Sequence, residues 1–124
     1  MRLYIEKESQ IEDIKRVFTA CYPFLKIEFY KKQFSPPNPG KKEALAARTA
    51  LTNLAHLPAK RMIDLDNATT VADLENEFAS LGVIAEVFRK SGNVWVETSL
   101  TNDWTLRQQN HEGEEISRHF QKSA

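Results

Sequence analysis

The side chains that could do chemistry are few, and they cluster. Thr98-Ser99-Leu100-Thr101-Asn102-Asp103-Trp104-Thr105 is the densest polar stretch of the 124-residue chain. Within it Asp103, with His111 or Glu97, would supply an acid and a base for proton transfer. The competing reading is structural. Asn, Asp and Thr are the residues that turn and cap a backbone, and Asp103-Trp104-Thr105 stands where a strand has to become a helix, with Trp104 as a packing anchor. The structural reading is the stronger. Arg89 and Lys90 beside Gly92 could hold an anion, although a solvated hairpin tip accounts for them more simply. His56, His111 and His119 show no metal-ligand spacing, and Cys21 has no second cysteine to join it. Cys21 falls on an apolar stripe, which implies a buried and inert thiol. No Gly-rich phosphate loop, Gly-x-Ser-x-Gly or His-Glu-x-x-His occurs. No metal and no cofactor are expected, and an enzyme is the less favoured class.

A second set of candidates is aromatic, and it depends on the elements that carry it. Arg2 to Glu6 and Leu25 to Lys32 alternate as strands. Ser9-x-x-Glu12 reads as a capping box opening a helix over Ile11, Ile14, Phe18 and Cys21, which Pro23 stops. Ser35-Pro36-Pro37-Asn38-Pro39-Gly40 breaks the chain, and Lys41 to Leu57 beyond it predicts a helix. Met62 to Leu65 is a strand. Thr70 caps a helix with Val71, Leu74, Phe78 and Leu81 inward, closed by Gly82. Val83 to Arg89 and Val94 to Ser99 form a hairpin about Ser91-Gly92-Asn93. Thr105-x-x-Gln108 opens a polar C-terminal helix that Gly113 would interrupt.

A shift of 60 residues superposes the apolar positions without a gap. Leu3 falls on Ile63, Ile11 on Val71, Ile14 on Leu74, Phe18 on Phe78 and Ile27 on Val87. Each half therefore reads strand–helix–strand, whether or not the halves share an ancestor. Two such units in series predict an α+β fold, a ferredoxin-like βαββαβ sandwich with an inserted helix, an extra strand and a C-terminal helix. With Leu25, Ile27 and Val87 facing the helices, Tyr4, Tyr30 and Phe88 point the other way, and Trp95 joins them if it lies opposite Phe88 across the hairpin. Aromatics on an open sheet are how some folds stack RNA bases. Here Glu6, Glu28, Glu86 and Glu97 share the face and would repel a phosphate chain. The expectation is that the C-terminal helix or a second subunit covers the rings.

Composition narrows the classes further. Lys+Arg and Asp+Glu both total 17, so the formal net charge is zero. Nucleic-acid binders usually carry a basic excess, which makes that partner unlikely. One cysteine excludes a disulfide-stapled scaffold. No apolar run reaches the length of a signal peptide or a membrane span. A single soluble, cytoplasmic domain over residues 1–124 is expected, with no membrane partner.

Several stretches also resemble an uncharacterised family of small proteins from Bacteroidetes-type bacteria. They are Tyr22-Pro23-Phe24-Leu25-Lys26-Ile27-Glu28-Phe29, Thr70-Val71-Ala72-Asp73-Leu74-Glu75, Val87-Phe88-Arg89-Lys90-Ser91-Gly92-Asn93-Val94-Trp95, Asp103-Trp104-Thr105-Leu106 and Gln109-Asn110. Glu86, where the resemblance implies Gln, and the proline-rich insert depart from it. No activity attaches to that family, so the resemblance implies no catalytic residues. The residues themselves favour a non-enzymatic binding or interaction module that contacts protein, including a second copy of itself. Its binding residues would be Tyr4, Tyr30, Phe88, Arg89, Trp95, Asp103 and Trp104. The alternative is a small-ligand site or enzyme near Thr101–Thr105.

Overall fold

Alternation makes Arg2–Glu6 a strand, β1, because it buries Leu3 and Ile5 and leaves Arg2, Tyr4 and Glu6 in water. The computed structural model describes residues 2–6, 8–32, 42–44 and 60–123. After β1 come α1 (Ile11–Cys21), β2 (Leu25–Lys32), β3 (Lys42–Ala44), β4 (Lys60–Asp64), α2 (Val71–Ala79), β5 (Ile84–Ser91), β6 (Val94–Glu97) and α3 (Leu106–Ser123). A 3-10 turn, Ser99–Thr101, precedes α3. Among the described residues no helix is long and apolar enough to cross a membrane.

The helix starts show which capping signals act. Thr70 accepts a hydrogen bond from the Asp73 amide at 3.1 Å. The Thr105 and Gln108 side chains satisfy each other's amides at 3.1 and 2.8 Å, a reciprocal capping box. Ser9 does something else. Its hydroxyl accepts from the Glu6 amide at 2.9 Å, closing the turn after β1, and Gln10 stands at the N-cap without a side-chain bond. Gly82 ends α2 at φ 84°, a left-handed conformation, while the Val83 amide reaches back to the Phe78 carbonyl at 3.2 Å. Gly113 does not interrupt α3, which runs through it. Most of the helix expected over Lys41 to Leu57 lies outside the described residues, as does His56, and Lys42–Ala44 is a strand instead.

The fold is α+β, with antiparallel strands divided between two sheets: β1 with β4, and β3-β2-β5-β6. The ferredoxin-like order is not the one formed. That order would set β1 beside β5 and β4 beside β2, and of its pairings only β1 with β4 is present. The cause is edge occupancy. β2 and β5 pair with each other, and each spends its second edge on its own hairpin partner, β3 or β6. β3 takes Tyr30 to Lys32 of β2 and β6 takes Phe88 to Ser91 of β5, so only the remaining parts of those edges could have met β1 or β4.

The 60-residue repeat is nonetheless visible in the registers. Leu3 pairs with Ile63, and Ile27 pairs with Val87, so in both sheets a residue faces its own counterpart. An antiparallel ladder of equivalent strands can do this only about a twofold axis through that pair. The order β3-β2-β5-β6 accordingly reads the same from either edge. Tyr30 pairs with Ala44 and its counterpart Lys90 with Trp95, which makes β3 the equivalent of β6. The repeat thus extends past the strand–helix–strand unit to a fourth element.

Among the described residues one core joins the two sheets and the three helices. Ile5, Ile11, Phe18, Leu25, Ile27, Phe29, Ile63, Leu74, Phe78 and Leu106 are buried in it. Phe29 of β2 meets Phe78 of α2 edge-on, with centroids 4.9 Å apart. Phe18 and Phe78 are each 1% exposed. We expect Phe18→Ala and Phe78→Ala each to cost ~3–5 kcal/mol in denaturant melts, the usual range for a buried Phe. A loss below ~1 kcal/mol at either position would contradict this packing.

Candidate functional site

Alternation along β2 and β5 sends Leu25, Ile27, Phe29, Ala85, Val87 and Arg89 to one side, and Lys26, Glu28, Tyr30, Glu86, Phe88 and Lys90 to the other. The helices take the first side. α1 packs on β2, α2 on β5, and α3 on both strands, with Leu106 in the core and Gln109 bonded to Arg89. The C-terminal helix is therefore not the cover expected for the aromatic face. Among the described residues no helix lies over that outward face.

Its centre is a cation held between two rings. The hairpin turns through two residues, Gly92 and Asn93, with Gly92 at φ 67° and Ser91 paired to Val94. This sets Lys90 opposite Trp95 and Phe88 opposite Glu97, where the sequence suggested Phe88 opposite Trp95. A shift of two residues keeps every side chain on its face, so Trp95 still lies beside Phe88. Lys26 pairs with Phe88 from β2. Its ammonium stands 5.4 Å from the Phe88 centroid and 5.2 Å from that of Trp95. Each contact is worth ~0.5–1 kcal/mol at such exposure. Glu28 lies 3.0 Å from Lys15 and 3.7 Å from Lys26. Tyr30 is half-buried on the same face, and Trp95 is 38% exposed. Tyr4 is elsewhere. It belongs to the other sheet, paired with Met62, and the residue is 52% exposed.

Arg89, Trp104 and the Gln109-Asn110 step meet on the helix side as a polar latch. The Arg89 guanidinium donates to Gln109 Oε1 at 2.9 Å and lies 5.8 Å over the Trp104 ring. Gln109, fully buried, donates to the Thr101 carbonyl at 2.7 Å and hydroxyl at 2.8 Å. Asn110 accepts from the Phe24 amide at 2.9 Å. Arg89 Nε is buried without a hydrogen-bond partner, which adds cost to holding the group there. These contacts fasten α3 across β2 and β5. They place Arg89 against a helix rather than at an exposed anion-binding tip. The residue types assign Gln109 no role; its signals are its place in the Gln109-Asn110 step of the resemblance and a position three residues after Leu106, on the buried side of an otherwise polar helix.

Two hollows flank this framework. The smaller, ≈ 260 Å³, sits where β6 ends, lined by Glu75, Glu86, Val87, Glu97, Thr98 and Asn102. There the Val87 carbonyl accepts from Thr98 Oγ1 at 2.7 Å and its amide donates to Glu75 at 3.4 Å, so side chains continue the ladder past the strand. The larger, ≈ 730 Å³, runs between Asp66–Ala68 and the start of α3, with Arg107, His111 and Glu114. Glu97 lines one hollow, His111 the other and Asp103 neither, so the suggested acid–base set is not assembled. Asp103 is exposed in the turn before α3. Among the described residues no group of His, Cys, Asp or Glu could hold a metal ion. Cys21 is half-buried, and burial pushes its thiol up, away from the reactive thiolate.

No family model matches the chain, and no curated protein or solved structure matches it.

Tyr22 ties the site to the core. Its hydroxyl donates to the Leu65 carbonyl at 2.6 Å. Burial first, then the neighbouring Cys21, Asp66 and Asp64, pushes the phenol up to about 12. The folded value lies above the unfolded value of ~10, so the stabilisation is whole below pH ~10 and is lost as pH climbs through the folded value. We expect Tyr22→Phe to cost ~1–2 kcal/mol at neutral pH. Its stability should then fall less steeply than wild type above pH ~10 in denaturant melts. Gly113→Ala tests the latch: a Cβ there would lie 3.0 Å from Phe24 Cβ, 3.1 Å from Arg89 Cγ and 3.1 Å from the Phe24 carbonyl. The crowding, ~1–3 kcal/mol, should outweigh the ~1 kcal/mol that Ala gains in a helix, and a raised melting temperature would refute this.

Proposed function

We propose that the chain is a non-enzymatic protein-interaction module that works through the outward face of the four-stranded sheet. One observation carries the reading. All three described helices lie on the opposite side, while Phe88 and Trp95 stand outward with the Lys26 ammonium between them. Aromatic rings flanked by mixed charges are the composition of a protein contact, with an apolar centre and a polar rim. Lys26 and Lys90 alternate here with Glu28, Glu86 and Glu97. The carboxylates disfavour a phosphate chain, and zero net charge gives no long-range attraction for one. A ligand site near Thr101–Thr105 ranks lower. Its proposed members Asp103 and Trp104 line neither hollow, and Trp104 packs under Arg89.

The test compares what co-purifies with the tagged full chain and with two variants. Phe88→Ala should lose specific protein partners that Tyr4→Ala, on the other sheet, retains. Identical partner sets for all three proteins would defeat the reading, and so would nucleic acid as the species lost.

A further inference from the structure

We propose that β6 pairs edge to edge with β6 of a second copy of this chain, joining two four-stranded sheets into one of eight strands. Among the described residues no strand pairs with the outer edge of β6. Ser91 and Val94 close a two-residue hairpin as a hydrogen-bonded pair, so alternation turns the N–H and C=O of Trp95 and Glu97 outward. Natural edges are usually protected by lysine, proline or a bulge. Val94-Trp95-Val96-Glu97 has none of these three; its protections are its short length and the one charge of Glu97, and Val94 and Trp95 are 53% and 38% exposed.

The strand's own sequence selects the occupant. A twofold contact between antiparallel strands sets the residue on the axis against itself, and its neighbours against each other. Val94-Trp95-Val96 is a palindrome about Trp95. An axis at Trp95 therefore pairs ring with ring, and Val94 with Val96 twice. It places Glu97 opposite the neutral Asn93 rather than another carboxylate. Aromatic and β-branched cross-strand pairs are the favourable ones, and like charges directly opposite are not. The same register uses the outward amides of Trp95 and Glu97. The edge is four residues long, so the contact falls short of a standard interface, and association in the range of ~10–1,000 μM is expected. The pairing would also set the two outward faces side by side, giving a partner a platform twice as wide.

The inference extends the face reading by naming a partner, and its test separates the two. Sedimentation and amide exchange are followed on the full chain from low concentration to ~1 mM. The expected result is a monomer–dimer equilibrium in which the Trp95 and Glu97 amides slow as the dimer fills, while the Val94 and Val96 amides, already bonded to β5, do not change. Trp95→Lys, which sets two like charges on the axis, should weaken association at least ~tenfold. Glu97→Pro, which removes one outward donor and leaves the ring, should weaken it as well. Phe88→Ala, which alters the face alone, should leave it unchanged. A monomer throughout, amides indifferent to concentration, or a dimer that survives both edge variants would overturn the edge pairing. A dimer abolished by Phe88→Ala alone would overturn it too, and would assign the contact to the face.

Discussion

The ladder between β2 and β5, centred on Ile27 opposite Val87, is the constraint on which the rest of the molecule depends. It joins the two halves of the repeat, and it supplies both floors of the structure. Inward it gives Leu25, Ile27, Phe29, Ala85 and Val87 to the core. Outward it aligns Lys26 with Phe88 and Glu28 with Glu86. A slip of one residue would exchange these two sets, so the buried side effectively locks the composition of the exposed side. The second sheet follows from the same pairing. With β2 and β5 given to each other and, in part, to β3 and β6, β1 and β4 pair with one another.

Much of this was legible in the residues, for a local reason. Helix faces and strand alternation depend on spacing within one element, and the apolar positions of α1, α2, β2 and β5 lie where their periods put them. The 60-residue correspondence was legible too, because each half has to bury the same pattern. What the spacing could not convey was which edges meet. Any two alternating strands can pair, and the choice between β5 beside β1 and β5 beside β2 rests on competition across the whole chain. The site suffered in proportion. Alternation puts Phe88 and Trp95 on the right face, but a turn of two residues, Gly92 and Asn93, sets a register that the turn signal Ser91-Gly92-Asn93 does not specify. Tyr4 joins them only if the strands form one sheet, and β1 belongs to the other. Lys26 escaped notice because a lysine in an alternating strand looks like ordinary solvent-facing charge until its cross-strand neighbour is known.

The two surfaces of the sheet are stabilised by different means. The inward side is apolar and closed by α1 and α2, and the latch of Arg89, Gln109, Thr101 and Asn110 then holds α3 against it. A polar latch is directional where apolar contact is not. It sets the rotation and depth of a helix whose apolar surface is thin. The outward side uses cation–π contact and exposed ion pairs, which are weak individually and exchange readily with solvent. Stability and recognition are thereby assigned to opposite sides of one layer, and a change on the outer side leaves the core undisturbed.

The palindromic strand order has a consequence for synthesis. Chains emerge N-terminus first, yet β1 waits for β4 and β2 waits for β5, each roughly 60 residues downstream. At ~5–20 residues per second, β1 and the β5-facing edge of β2 stay unpaired for about 3–12 s after they are made, with only the short β2–β3 pairing available locally. Throughout that interval Leu3, Ile5, Leu25, Ile27 and Phe29 lack the cross-strand partners they have in the fold. The nascent chain is thus a split protein held together by its own backbone, and its vulnerability to proteases and to other nascent chains is set by translation speed across the second half.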